Sequence, residues 1–539
     1  MNRTKTKRCS KDILFVVTCA LLLSLPASYE PHHFAKTLFA GALIQSVAYS
    51  IVLAWLTRKS HALRIASLVI LFLLFSLETY TYVTFASRLN PSILTLILQT
   101  TWREIQEFFT VYVLTWRTLM VVISIGVLAM SYLLLQRCFF TEKNIGKPLR
   151  YLAILLVLAG FSLFFIPRTF PLGQNTLNQL FLSCQFVWQT HQEIDTMEAM
   201  IDQIHVTKTP KAEEAPVLVL VIGESFNKHH SSLYGYGLPT NPRLTAERDS
   251  GQLIVYTHAQ SPTNGTAFAM RYLFTQKGCG EAADTTDCVL MPAVFRKASY
   301  AVAYFDNQYT RSSGGALDYS CGYFLNPQYI NEQCFDYRND QTSDFDADFI
   351  EHYRTHFLRQ PRTLNIIHLM GQHTDPVKRY PETFDHFHAS DIHRPDLSES
   401  QREQVAQYDN STLYNDYVLA RILDIFRDLD AVVVYLSDHG EQIYDDGDLV
   451  YGRIFGSQQS EATLKNVYQI PLMIWCSKTY LSAHPDDFNR LRQAADATIC
   501  SADLPYLLYD LAGIDFNYHR PEKSFISSTF HPHQTILQK

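Results

Sequence analysis

Four short polar clusters in the later part of this 539-residue chain hold residue types that bind metals and move protons. Gly223-Glu224-Ser225 offers a carboxylate and a hydroxyl, and Met370-Gly371-Gln372-His373-Thr374-Asp375 an imidazole and a second carboxylate. Ser437-Asp438-His439-Gly440-Glu441 combines both types, and Asp306-Asn307-Gln308 adds a carboxylate beside two amides. Carboxylate and imidazole together form a donor set for a hard-to-borderline divalent cation. Each cluster alone is more ordinarily a turn or a capping aspartate beside a surface histidine. Only convergence makes them a site.

The elements before the clusters predict that convergence. Val217–Ile222, Ala301–Phe305, Leu364–Leu369, Ala431–Leu436 and Ile470–Trp475 are apolar runs of five or six residues, read as buried strands of a mainly parallel sheet. Helical patterns separate them. In Ser411–Phe426, for instance, Leu413, Tyr417, Leu419, Ile422, Leu423 and Phe426 share one face. This is an α/β layered domain. Ligands in open α/β sheets sit beyond the carboxyl ends of the strands, so four strand ends should deliver their polar groups to one rim.

Val219-Leu220-Val221-Ile222-Gly223-Glu224-Ser225, with Ser232-Leu233-Tyr234-Gly235-Tyr236 and Thr240-Asn241-Pro242-Arg243-Leu244, resembles the opening signature of the phosphoethanolamine transferases of the alkaline phosphatase/sulfatase superfamily. His368-Leu369-Met370-Gly371-Gln372-His373 and Arg379-Tyr380-Pro381 are similar to that family's central motif. Tyr435-Leu436-Ser437-Asp438-His439-Gly440-Glu441 resembles its metal-binding motif, and Ile470-Pro471-Leu472-Met473-Ile474-Trp475 the strand that follows. The resemblance covers essentially the whole chain and implies an alkaline-phosphatase-like catalytic domain at 216–539. It implies Glu224, Asp438 and His439 as ligands of one zinc ion, with a second ion allowed, and a threonine nucleophile some forty residues beyond the glutamate.

In Ser261-Pro262-Thr263-Asn264-Gly265-Thr266-Ala267, Thr266 is the best match for that nucleophile and would itself meet the zinc ion; Ser225, adjacent to Glu224, is its rival. His373 is expected to serve the phosphoryl group, the acceptor hydroxyl or a second metal, and Asp306 and Asn307 to orient substrate or simply to form a turn. The implied reaction transfers phosphoethanolamine from phosphatidylethanolamine to lipopolysaccharide core or another envelope glycan, through a covalent phospho-threonine. Phosphoglycerol transfer is the runner-up, and a membrane receptor or scaffold would not need this full set of ligand types. A sulfatase would need Cys/Ser-x-Pro-x-Arg, which Thr266-Ala267-Phe268-Ala269 does not supply. The stretch Tyr444–Arg453 lacks the histidine of relatives that modify lipid A, which favours core sugars or other glycans as acceptor.

The chain before about residue 166 has a different character. Ile13–Ser28, Ala35–Leu56, Leu63–Val83, Thr118–Gln136 and Leu149–Ile166 are read as five membrane-spanning helices, the first and last short for a hydrocarbon layer of about 30 Å. A cleaved signal peptide is the alternative for the first. Twelve basic residues (Arg3, Lys5, Lys7, Arg8, Lys11, Arg58, Lys59, Arg64, Arg137, Lys143, Lys147 and Arg150) fall on one side and four (Lys36, Arg88, Arg103 and Arg117) on the other. The positive-inside rule then places the N-terminus in the cytoplasm of a bacterial cell and the large domain in the periplasm, anchored to the inner membrane.

The loop Thr84–Arg117 and the segment 167–215 are read as interfacial, with a simple packing helix as the alternative for 170–204 and a polar linker over 207–214. Six cysteines lie in the globular part, for which Cys279–Cys288 and Cys321–Cys334 are the expected disulfides and buried thiols the alternative. Net charge of −7 gives no reason to expect a nucleic-acid partner.

Overall fold

The structure, a computed structural model, describes residues 3–29, 35–85, 88–90, 93–94, several positions between 115 and 127, 175–211, 214–279, 281, 284–308, 322–447, 450–453 and 460–533. These form two compact units, one holding the described residues up to Gln189 and the other those from Thr190 onward.

The first unit contains helices α1 (Arg3–Ser24), α2 (Ala35–Thr57) and α3 (His61–Phe85), which coincide with the first three expected spans. Phe15, Cys19, Leu22 and Leu23 pack with Ala54, Leu68, Leu71 and Phe75. By length and composition only His61–Thr84, among the described residues, is apolar enough to cross a membrane; Asp12–Ala27 and Ala42–Thr57 are shorter apolar stretches. Its outward residues Leu63, Ile65, Val69, Ile70 and Leu73 are exposed, a surface suited to hydrocarbon rather than water. The five-span expectation is therefore carried by structure at one helix. Thr118–Gln136 is described at only a few positions, and Leu149–Ile166 lies outside the described residues, as does most of Thr84–Arg117.

Helix α4 spans Thr176–Asp202. In the second unit its last residues Met197, Met200 and Ile201 join the core with Ile204, so that end packs rather than lying free. The expected linker is partly ordered: Val206–Lys208 pairs antiparallel with Asp515–Phe516, and the Thr209 hydroxyl donates to the Ala298 carbonyl at 3.2 Å. Polar side chains suggested a loose tether, whereas the backbone is held at an edge.

The second unit is built on a seven-stranded sheet of β1 (Val217–Gly223), β2 (Leu253–Tyr256), β3 (Ala301–Asp306), β4 (Tyr337–Arg338), β5 (Thr363–His368), β6 (Ala431–Ser437) and β7 (Leu472–Cys476). Their order is β2-β7-β6-β1-β5-β3-β4. All five expected strands are present. The sheet is nevertheless mixed: β6, β1, β5, β3 and β4 run parallel, while β7 lies antiparallel to both β6 and β2. An apolar run reports burial on both faces and says nothing of direction, so β7 looked like its neighbours in sequence.

Leu218, Leu220 and Ile222 of β1 point into one core layer and Val217, Val219 and Val221 into the other. The first layer takes Met270, Leu273 and Phe274 of helix α5 (Thr266–Phe274). The second takes Val418, Leu419, Ile422, Leu423 and Phe426 of helix α6 (Glu399–Phe426), whose N-terminus is closed by a Ser398/Gln401 capping box.

The described cysteines are free thiols. Cys279 is not joined to Cys288 but shares a hydrogen bond with Cys500, a residue 221 positions away that spacing arguments did not reach. Cys321 lies outside the described residues, so its expected pairing with Cys334 does too.

Candidate active site

Parallel register brings the site together. Gly223 of β1 stands opposite Ser437 of β6, so Glu224 and Asp438 emerge side by side, with His439 next. Thr266, the first residue of α5, arrives from the other direction, behind Gly265 in extended conformation. Its Oγ1 donates to Glu224 Oε2 at 3.0 Å and lies 3.4 Å from His439 Nε2. His439 Nε2 is 3.3 Å from Glu224 Oε1 and 3.1 Å from Asp438 Oδ2. Candidate ligand atoms of Glu224, Asp438 and His439 all fall within 4.8 Å of one another, and each of the three residues is at most 1% exposed.

The orientation of each donor is fixed. His439 Nδ1 lies 2.8 Å from the Gly440 carbonyl, which can only accept, so Nδ1 carries the proton and Nε2 presents its lone pair inward. Asp438 Oδ1 accepts from the backbone N–H groups of Ser225 at 3.1 Å and His439 at 2.7 Å. Its Oδ2 is buried without a hydrogen-bond donor among the described residues and lies beside Nε2. Two acceptors turned toward each other in a dry pocket repel unless a positive charge lies between them. That orphaned oxygen is why these residues fit a divalent cation.

Electrostatics agree. Burial, then the charge of Glu224, pushes Asp438 well above the usual carboxylate range. Burial would also raise Glu224, yet His439, His373, Arg453 and the Ser225 hydroxyl together hold it below its usual value. Burial and the Arg453 guanidinium lower His439 to about 4, leaving its imidazole neutral at pH 7, the form that binds metals.

The close approach behind Glu224 depends on a glycine. Gly371 has φ of +51°, and a Cβ there would meet Glu224 N at 2.8 Å and Glu224 O at 2.9 Å. Gly371→Ala is expected to cost about 3 kcal/mol, from the left-handed backbone and the backbone clash together, and to displace Glu224. Thermal unfolding and zinc titration of the variant would check both effects; a variant matching the parent in each would refute the close approach.

The other expected site residues divide. Ser225, the rival nucleophile, is fully buried at φ 56° and donates its hydroxyl to Glu224 Oε1 at 2.7 Å, so it supports a ligand. His373 is half-buried at the rim, in electrostatic contact with Glu224 and His439; burial, then Arg379 and Arg453, holds it at about 3. Asp306 and Asn307 are hydrogen-bonded to neighbouring protein groups. Asp306 Oδ1 accepts from Gln308 N at 2.8 Å and meets His368 Nδ1 at 3.0 Å. Asn307 donates to Asp346 at 2.8 Å and accepts from Ser343 N at 2.7 Å. Their polar atoms are spent on the loops around them.

Three contributors were missed in the sequence. Gln308 Nε2 donates to Glu224 Oε2 at 3.1 Å, and was passed over as the tail of Asp306-Asn307-Gln308. Asp346 accepts from Met370 N and Gly371 N, both at 2.9 Å, and so pins the loop behind Glu224, with no sequence signal at all. Arg453 Nη1 lies 2.7 Å from His439 Nε2. The signal in the sequence is the arginine that ends the histidine-free stretch Tyr444–Arg453.

A sulfatase family model matches residues 216–514. Over 475 residues, 83% of this chain and 79% of the relative, the chain is 26% identical to the phosphoethanolamine transferase EptC of Escherichia coli. The zinc complex of the C-terminal periplasmic domain of EptC from Escherichia coli is similar in structure, with 25% identity, a TM-score of 0.50 and coverage of 60% of this chain and 90% of that one. The integral membrane lipooligosaccharide phosphoethanolamine transferase A of Neisseria meningitidis shares the fold at 17% identity and a TM-score of 0.67, over 96% of this chain and 98% of that one. With a family model spanning more than half of its length, the chain belongs to the sulfatase family, and within it is similar to phosphoethanolamine transferases.

Proposed function

We propose that this chain is a membrane-anchored, zinc-dependent transferase that moves phosphoethanolamine from phosphatidylethanolamine to lipopolysaccharide or another envelope glycan. The observation that carries the reading is the Thr266 hydroxyl held between Glu224 Oε2 and His439 Nε2, beside a carboxylate oxygen that no donor satisfies. EptC of Escherichia coli and the Neisseria meningitidis enzyme are named as phosphoethanolamine transferases, the latter of lipooligosaccharide, which supports the transferred group and the class of acceptor. Family membership alone does not decide between sulfate and phosphoryl chemistry. Threonine in place of the cysteine or serine of a sulfatase motif supports phosphoryl transfer.

Glu224, Asp438, His439 and Thr266 would hold one zinc ion, as the zinc complex of the EptC domain supports. A bound zinc ion lowers the pKa of water from about 15.7 to about 7, would act similarly on an alcohol, and balances charge on phosphoryl oxygens. Thr266 Oγ attacks the donor phosphorus: the Oγ–P bond forms, the bond to the diacylglycerol oxygen breaks, and that oxygen leaves with the proton from Oγ. An acceptor hydroxyl then attacks the same phosphorus, the P–Oγ bond breaks, and Thr266 regains a proton. His373, neutral at pH 7, accepts a hydrogen bond from the acceptor hydroxyl.

The anchor suits the donor, because drawing acyl chains into water costs about 0.8 kcal/mol per CH2. Orientation with the second unit in the periplasm follows from the basic residues of the first. In that oxidising compartment the adjacent Cys279 and Cys500 are expected to be found joined, as peptide mapping without reductant would show; free thiols at both after isolation from the periplasmic face would contradict the placement.

Intact mass of the full chain after incubation with phosphatidylethanolamine tests the whole reading. A phosphoethanolamine adduct on Thr266 is expected. An adduct formed only from phosphatidylglycerol would select phosphoglycerol transfer instead, and no adduct with either lipid would reject the covalent step.

A further inference from the structure

The hairpin after the Asp-His motif returns the chain to the site. Tyr451–Gly452 pairs antiparallel with Gln442–Ile443, and Asp445 ties the hairpin to Asn227 Nδ2 at 3.0 Å and to His230 Nε2 at 3.2 Å. Arg453 follows directly, with a side chain only 9% exposed. Its Nη1 lies 2.7 Å from His439 Nε2, the nitrogen that Thr266 Oγ1 also reaches, at 3.4 Å. Nη1 also lies 3.4 Å from the Asn264 carbonyl, and Nε 3.6 Å from Glu441 Oε2.

We infer that Arg453 is a phosphoryl-binding residue of this site, its guanidinium taking the non-bridging oxygens of the group that Thr266 receives. Three features support this. The guanidinium and the Thr266 hydroxyl converge on one nitrogen, so the group is beside the reacting oxygen. A planar fork of N–H donors matches two phosphoryl oxygens as no single-point cation does. And the His439 Nε2 lone pair that Arg453 faces is the one His439 would offer to a cation held with Glu224 and Asp438, so guanidinium and cation compete there and repel across a dry pocket. A guanidinium displaced from that nitrogen can turn its N–H donors to phosphoryl oxygens held beside Thr266. The simple structural reading, a strut from the hairpin to Asn264 and Glu441, predicts none of this competition.

The inference rests on the function proposed above, and its test separates the two. Zinc affinity of the full chain in detergent is measured by competition with a chromophoric chelator, and inorganic phosphate binding to the zinc-loaded protein by calorimetry. Arg453→Gln is expected to bind phosphate at least tenfold more weakly and zinc more tightly than the parent. Arg453→Lys keeps the charge but loses the fork, so zinc affinity should stay near the parent while phosphate affinity falls severalfold. Unchanged phosphate affinity in Arg453→Gln overturns the inference, as does a parallel loss of zinc and phosphate, the mark of a collapsed hairpin. Should that variant fail to fold, parental phosphate affinity in Arg453→Lys overturns it instead. A parent protein that binds neither zinc nor phosphate removes the proposed function along with it.

Discussion

Thr266→Ala should lower phosphoethanolamine transfer on the order of 10^4-fold or more, the scale on which covalent nucleophiles are missed. Diacylglycerol release from a fluorescent phosphatidylethanolamine would measure it. Thr266 opens α5 and is 8% exposed, so removing a hydroxyl and a methyl there leaves the helix, and the packing of its Leu273 and Phe274 into the core, in place. Zinc should still bind, more weakly, through Glu224, Asp438 and His439. The serine variant keeps the hydroxyl and should keep part of the activity. Ser225 offers no rescue: its hydroxyl is committed to Glu224 Oε1 and its backbone lies at positive φ. Parental turnover in Thr266→Ala would transfer the nucleophile to another residue and end the mechanism in its present form.

Asp438→Asn makes a prediction with opposite signs in two conditions. Without zinc, the asparagine removes a buried carboxylate charge whose Oδ2 has no donor among the described residues and lies 3.1 Å from His439 Nε2, a nitrogen that Arg453 already meets. The asparagine oxygen can still accept from Ser225 N and His439 N. The variant should therefore be at least as stable as the parent after chelation. The pH dependence has a definite sign. Asp438 is raised in the folded protein, by burial and by Glu224, so its folded form holds a proton that the unfolded chain releases above about pH 4. Stability of the chelated parent should thus fall as pH rises from about 4 toward that raised value, and the asparagine variant should lose this slope.

With zinc the order reverses. The parent gains about 4 kcal/mol at a thousandfold excess over Kd, on the order of 10 °C in Tm for a unit of this size. Asp438→Asn should gain almost nothing, and its transfer activity should be lost with the metal. Calorimetry of both proteins with zinc and with chelator decides it. Equal zinc shifts in the two proteins would remove Asp438 from the ligand set.

Much of this was legible before any coordinates. Runs such as Val217–Ile222 and Ala431–Leu436 declare buried strands because only a sheet covered on both faces tolerates unbroken β-branched residues. Polar residues directly after such runs must lie at a sheet end, which is where Glu224, Asp438 and His439 are found. The motif around Thr266 was legible for a different reason: its resemblance to a family, not its local chemistry, which is that of any loop threonine.

What stayed hidden was long-range. Strand direction at β7 depends on the path of the connection, which composition does not record. Cys279 meets Cys500 rather than Cys288 because folding, not spacing, chooses neighbours. Asp306 and Asn307 carry the right groups at the right rim, yet spend them on Gln308, His368, Asp346 and Ser343. Residue types and their order determined the donor set and the edge of the sheet where it gathers, since periodicity and strand ends are local properties of the chain. Which oxygen of Asp438 was left without a donor, and that an arginine from the far end of a hairpin would face His439, were decided by tertiary packing. Hydrogen-bond satisfaction belongs to all the neighbours of an atom at once, and most of those neighbours are distant in sequence.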